Sequence, residues 1–229
     1  MSINYNITKK SELQLINSFY EFYNHVKNEW IELIEFLKNN KSITASNLKI
    51  IERYECISNQ YESQILDECI WCISKNQPVA SNLRFIISII NSIRDLERMS
   101  DYIERCAHIL NKYHFNKEVI NQILKLLKYS IECMDNIIKI IKNKQQLKSE
   151  PIKKYKIAQK YIDEYRENSH KIRHDLLAHL LKSKKDEWVK IPYIIHSAER
   201  NIEHSMNILE SFIYIHDEKF FFIKRNIVK

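Results

Sequence analysis

The sequence contains no glycine in 229 residues. Average usage of ~7% would supply about sixteen. Phosphate-cradling loops need glycine, because the backbone must approach the ligand without a Cβ in the way. A P-loop, a dinucleotide fingerprint and a kinase Gly-rich loop are all excluded on that ground. Tight two-residue hairpins favour glycine as well. Only three prolines occur, so helices meet few breakers. Long helices joined by short polar loops are the predicted outcome. A hydrophobic share of 45% against 28% charged residues suits a folded chain rather than a disordered one. The length allows one large domain or two small ones, at ~100–200 residues each.

Apolar residues recur at helical spacing nearly throughout. A first helix is expected from about Lys10 to Asn39, with Leu15, Phe19, Phe22, Val26, Trp30, Leu33 and Leu37 on one side. Ser42–Ser46 is a polar break that offers N-cap residues. A second helix covers about Ala45–Lys75 and a third about Pro78–Asn111. Pro78 marks the boundary between them, since the residue before a proline disfavours helix. After a break at Lys112–Lys117, a fourth helix runs about Lys117–Lys144. A polar linker follows at Lys144–Pro151, then a fifth helix at Ile152–Leu181. Lys182–Asp186 reads as a charged loop and Trp188–Ile215 as a sixth helix. The tail carries Phe220, Phe221, Phe222 and Ile223, which are expected to dock on the bundle or on another molecule. Short loops imply antiparallel neighbours. The expected fold is all-α, two tandem three-helix bundles built from six long antiparallel helices. The expected units are 1–113, 114–217 and a tail at 218–229.

No stretch approaches the ~18 apolar residues of a membrane span, and the polar start MSINYNITKK lacks a signal-peptide core. A cytoplasmic chain is therefore expected. Five cysteines make no disulfide framework in that compartment. Cys69 and Cys72 form a C-x-x-C without a second pair, so they read as small apolar residues on a helix face rather than a zinc or redox site. The net charge of +7 is diffuse, and no basic–aromatic stripe suggests nucleic-acid binding.

The carboxylates carry more information. Glu97 and Asp101 lie four apart in the third helix, and Glu199 and Glu203 four apart in the sixth. Both pairs begin Glu-Arg. Each acid directly follows a residue of its core stripe: Leu96, Ser100, Ala198 and Ile202. The pairs therefore sit at equivalent edges of the core face. In the second helix Glu55 and Glu62 follow Tyr54 and Tyr61, with Asn59 between them on the same face. In the fifth helix Asp163, Glu167 and His170 repeat that spacing. Like charges at i,i+4 destabilise an isolated helix by about 0.2–0.5 kcal/mol. A multivalent cation reverses the sign of that cost, and carboxylate oxygens suit Fe, Mn, Mg or Ca, with Zn also accepting them. The bland account is a set of surface acids salt-bridged to Arg94, Arg98 and Arg200. The duplicated register favours metal. No nucleophile–base pair is apparent, so no enzymatic activity is expected.

The segment Gln77–Ala107 resembles the signature of the PhoU family of phosphate-uptake regulators. That family carries Gln-Pro-x-Ala-x-Asp-Leu-Arg and then a helix with Glu-Arg-Ile-Gly-Asp. Gln77, Pro78, Ala80, Leu83, Arg84, Glu97, Arg98 and Asp101 match. Glu55, Asn59 and Glu62 fall where the family places the acidic motif of the preceding helix. Glu199, Arg200 and Glu203 give a weaker match in the second half. Asn82 stands for the family's Asp, Ser100 for its Gly, and Ile202 with Glu203 for its Gly and Asp. The glycine losses place side-chain bulk beside the acids.

The resemblance implies two three-helix bundles and multinuclear metal clusters, iron first, on Glu55, Glu62, Glu97 and Asp101 and on Asp163, Glu167, Glu199 and Glu203. It implies a negative regulator of high-affinity phosphate transport. The expected partners are the ATPase subunit of the phosphate ABC transporter, which brings the protein close to the membrane, and a phosphate-sensing histidine kinase where one exists. A homodimer stays open. Two other readings of the residues stay open as well. One is a ferritin-like metal-handling bundle, motivated by Glu167-x-x-His170. The other is a metal-free helical adaptor.

Overall fold

A computed structural model describes residues 2–182 and 190–220. It contains seven helices: α1 (Ser2–Asn40), α2 (Ala45–Asn76), α3 (Ser81–Lys112), α4 (Lys117–Lys142), α5 (Lys144–Ser149), α6 (Pro151–Lys182) and α7 (Ile191–His216). No strand occurs among the described residues. The expected charged loop beyond Lys182, the start of the sixth helix at Trp188 and the apolar tail beyond Phe220 lie outside them.

The helices stop and start where local chemistry says they should. Thr44 caps α2 in a reciprocal box. Its Oγ1 accepts from the Asn47 N–H at 3.2 Å, and the Thr44 N–H donates to Asn47 Oδ1 at 3.2 Å. Asn116 caps α4 by accepting from the Val119 N–H at 2.9 Å. Pro151 opens α6, where its missing N–H is no loss. Without glycine, other residues must take the left-handed positions. Lys41, Gln77 and Ala80 have φ of 58°, 44° and 51°, at a cost of roughly 1–2 kcal/mol each. Ala80 explains why α3 begins at Ser81 rather than at Pro78, since its backbone is outside the helical region.

α1, α2 and α3 pack as one three-helix group, and α4, α6 and α7 as a second. The fold is thus two tandem three-helix bundles. They meet broadly along α3 and α7, and α1 also reaches α4. The stripe residues of α1, from Leu15 to Leu37, are all buried, as are those of α3 and α7. The expected polar linker contains the short helix α5, pinned by Leu147, which is buried. Phe220 is fully buried and meets Tyr155 edge-on at 5.3 Å, so the described part of the tail docks on the bundle.

The seam between the bundles is partly polar. Ser88 Oγ lies 2.6 Å from Ser211 O. Inside the second bundle, Ser130 Oγ of α4 donates to Ala198 O of α7 at 2.8 Å, and Asn201 Nδ2 of α7 donates to Ser130 Oγ at 2.9 Å. Asp95 of α3 meets His204 Nδ1 of α7 at 2.7 Å, both buried, with the Tyr102 ring stacked on the imidazole. No helix among the described residues is long and apolar enough to cross a membrane.

Candidate functional site

The first-half acids converge where α1, α2 and α3 meet. Glu55 and Glu62 of α2 and Glu97, Asp101 and Glu104 of α3 are all half-buried at the edge of the core face. Burial pushes the Glu97 carboxyl up from 4.5 to about 7; Asp101, Glu62 and Glu55 add to the rise, and Arg98 opposes it. Glu104 is raised by burial and by Glu55 and Asp101, against the neighbouring His108. Glu97 and Glu104 thus feel acids of both helices, and the sequence-derived quartet Glu55, Glu62, Glu97 and Asp101 shares one region, although no three of its members bring ligand atoms within 4.8 Å of one another. Partial charge balance comes from Arg105, whose guanidinium donates to Asp101 at 3.1 Å. Asn59 donates to Glu55.

Four further residues belong to this region and were not singled out from the sequence. Glu29 of α1 is fully buried. Its Oε2 accepts a hydrogen bond from Ser100 Oγ at 2.6 Å, and its Oε1 is buried with no partner. Burial holds its carboxyl well above the ordinary 4.5; the Ser100 bond lowers it, while Glu55, Glu104 and Asp101 raise it. Glu52, Glu104 and His108 form the remaining group. One ligand atom from each lies within 4.8 Å of the others. His108 Nε2 is 3.6 Å from an oxygen of each glutamate. Among the described residues it is the trio close enough to share an ion. The register rule that marks Glu97 and Asp101 would have found two of these as well. Glu52 follows the core residue Ile51, and Glu104 follows Ile103. Glu29 had a different signal: it lies on the core stripe itself, between Val26 and Trp30.

The second-half acids are arranged otherwise. Glu199 of α7 is bound by Arg173 of α6, whose Nη1 donates to Glu199 Oε1 at 2.6 Å. Arg166 donates to Asp163 at 3.3 Å, and Arg200 pairs with Glu203. Asp163, Glu167, His170 and Glu203 are exposed. Beside Glu199 an open groove of ≈ 750 Å³ is lined by His170, Arg173, His174 and His196. A fixed guanidinium and exposed, spread-out carboxylates suit a cation less well than the first half does. Glu167 and His170 both face solvent, which weakens the ferritin-like reading of that pair.

The cysteines offer little to a metal. Cys69 and Cys72 are buried on the core face of α2. Burial pushes the Cys69 thiol up to about 12 and raises Cys72 as well, which disfavours the thiolate that binds metal or attacks.

A family model described as "PhoU domain" matches residues 20–110. The chain is 31% identical over 228 residues to "Uncharacterized protein MG409" of Mycoplasma genitalium, covering 96% of this chain and 99% of that one. It is 30% identical over 170 residues to the "Phosphate-specific transport system accessory protein PhoU homolog" of Streptococcus pneumoniae, covering 69% of this chain and 72% of the relative. In fold it is similar to the crystal structure of the phosphate transport system regulatory protein PhoU from Streptococcus pneumoniae. The TM-score is 0.73 at 21% identity, over 92% of this chain and 97% of that one.

Proposed function

The chain belongs to the PhoU family, and from that premise we propose that it is a non-enzymatic accessory regulator of phosphate transport. The observation that carries the reading is its 30% identity across 72% of a relative named as a phosphate-specific transport system accessory protein. In this reading it works at the cytoplasmic side of the membrane and restrains high-affinity uptake through the ATPase subunit of the phosphate ABC transporter. A phosphate-sensing histidine kinase is a further partner where the cell has one.

The same reading assigns metal to the acidic faces, with Glu55, Glu62, Glu97 and Asp101 as the first-half ligands and iron as the first candidate. Two features support it: the half-buried Glu97 and Glu104, raised by burial and by neighbouring acids, and a buried carboxylate oxygen without a partner. A bound cation supplies positive charge that offsets this repulsion and ties α2 to α3. The protein's own contribution is to bring the acids to one region on rigid helices. On the second half, metal on Asp163, Glu167, Glu199 and Glu203 requires that Arg173 be displaced from Glu199.

The test is an affinity capture of the tagged protein from its own cells at high and low phosphate, read by mass spectrometry. Recovery of the transporter ATPase in a phosphate-dependent amount is expected. Its absence under both conditions, with the tagged protein intact, overturns the regulatory reading and leaves the adaptor reading.

A further inference from the structure

Ser100 stands where the related motif has glycine, and its hydroxyl is fully buried against α1. There it donates to Glu29 Oε2 at 2.6 Å. That bond fixes the Glu29 carboxylate beside the turn of α3 that carries Glu97, Asp101 and Glu104. The other oxygen, Oε1, is buried and meets no donor or acceptor among the described residues. A second orphan lies in the same region. Ser58 Oγ, on the core face of α2 between Glu55 and Glu62, is buried without a partner.

A buried carboxylate oxygen left without a partner costs about 1–3 kcal/mol or more, so something ordinarily satisfies it. A proton on Oε2 removes the charge and can be donated to Ser100 Oγ, but it leaves Oε1 without a partner. An arginine or lysine would serve, yet the charged groups around Glu29 are acids: Glu55, Glu104 and Asp101. A buried water would satisfy the orphan oxygen but leave the surrounding negative charge unopposed, whereas a cation answers both. Hard di- or trivalent ions take such oxygen ligands.

We infer that Glu29 is the inner metal ligand of the first-half site, presented by Ser100 and closing from α1 the side that α2 and α3 leave open. This rests on the metal-binding part of the function proposed above. Ser100 is the positioning residue: it holds Oε2 so that Oε1 points at the ion, as outer-shell partners commonly do for ligating carboxylates. The replacement of glycine by serine then adds a holder for a third helix, beyond adding bulk.

The experiment uses the full chain, stripped with EDTA and titrated with Mn2+, and separately with Fe2+ without oxygen. Bound metal is measured by elemental analysis and affinity by titration calorimetry. The metal-induced rise in melting temperature is recorded alongside. Glu29→Gln is expected to weaken binding at least tenfold and to abolish most of the metal-induced rise. Its metal-free melting temperature should equal or exceed that of the parent, since a buried charge is gone. Ser100→Ala should weaken binding several-fold. If Glu29→Gln fails to fold, Glu29→Asp and Ser100→Ala carry the same measurement. Unchanged affinity in the Glu29 and Ser100 variants, alongside loss in Glu97→Gln/Asp101→Asn, overturns this inference and leaves the first-half site standing on α2 and α3. If the parent takes up neither ion, the metal reading and this inference fall together.

Discussion

The titration of Glu97 gives a test of the acidic site that needs no partner protein. Its carboxyl rises from 4.5 to about 7 on folding. The folded chain therefore holds that proton more tightly than the unfolded chain does. Its contribution to stability is complete below pH ~4.5, falls as pH rises, and is lost above pH ~7. The full difference corresponds to roughly 3 kcal/mol. Glu97 is only half-buried, so solvent screening reduces this to about 1–2 kcal/mol. Glu97→Gln keeps the shape and removes the charge. In EDTA at pH 8.5, the variant should be more stable than the parent by about 1–2 kcal/mol. Urea unfolding at a slope of ~2–3 kcal/mol/M would show this as a midpoint higher by roughly 0.5 M. At pH 4.5 the two midpoints should nearly coincide. Other acids in the cluster titrate in both proteins, so the difference between the two curves reports Glu97 together with its coupling to them. Mn2+ at pH 8 should reverse the order, because the parent gains a bound ion that the variant holds poorly. Equal midpoints at pH 8.5, or a less stable variant at both pH values, would refute the claim that burial and the neighbouring acids raise the Glu97 carboxyl in the folded chain.

Two other outcomes follow from the packing. Asp95→Leu leaves His204 buried without its partner at the α3–α7 seam, and urea unfolding should show a loss of about 2–4 kcal/mol. Asp95→Leu/His204→Phe should lose less than the single change, since no buried polar group is left alone; an equal or larger loss would count against the pair. Thiol titration at pH 8 should find one reactive cysteine in the native chain, Cys56, because it is exposed and the other four are buried. All five should react in urea, and rapid native reaction at Cys69, Cys106 or Cys133 would contradict the placement of those helices.

The helices were legible because burial enforces a period on the sequence. Every residue placed on the stripes of α1, α3 and α7 is buried. Elements too short to show a period were not legible. α5 has six residues, KQQLKS, and a single apolar side chain, Leu147, cannot mark a face. The start of α3 escaped for another reason. Ala80 takes a positive φ, a conformation in which alanine is uncommon and which composition gives no reason to expect.

The two acidic pairs show where reasoning from one helix at a time stops. The rule that an acid follows its stripe residue fixes an angle about one helix axis. It says nothing of what the neighbouring helix presents at that angle. For Asp101 the neighbours include Glu29 on α1, and for Glu199 the neighbour is Arg173 on α6. The same Glu-Arg start and four-residue spacing therefore end in opposite electrostatic settings. One is a group of acids with little opposing charge. The other is already satisfied by a guanidinium held at 2.6 Å. Glu29 is the residue that decides the first case, and it was visible as a charge on an otherwise apolar stripe. A charged residue on a core stripe must be paired, protonated or bound to an ion. In this bundle, Ser100 pairs with one oxygen only, and the other is the reason to look for an ion there rather than in the second half.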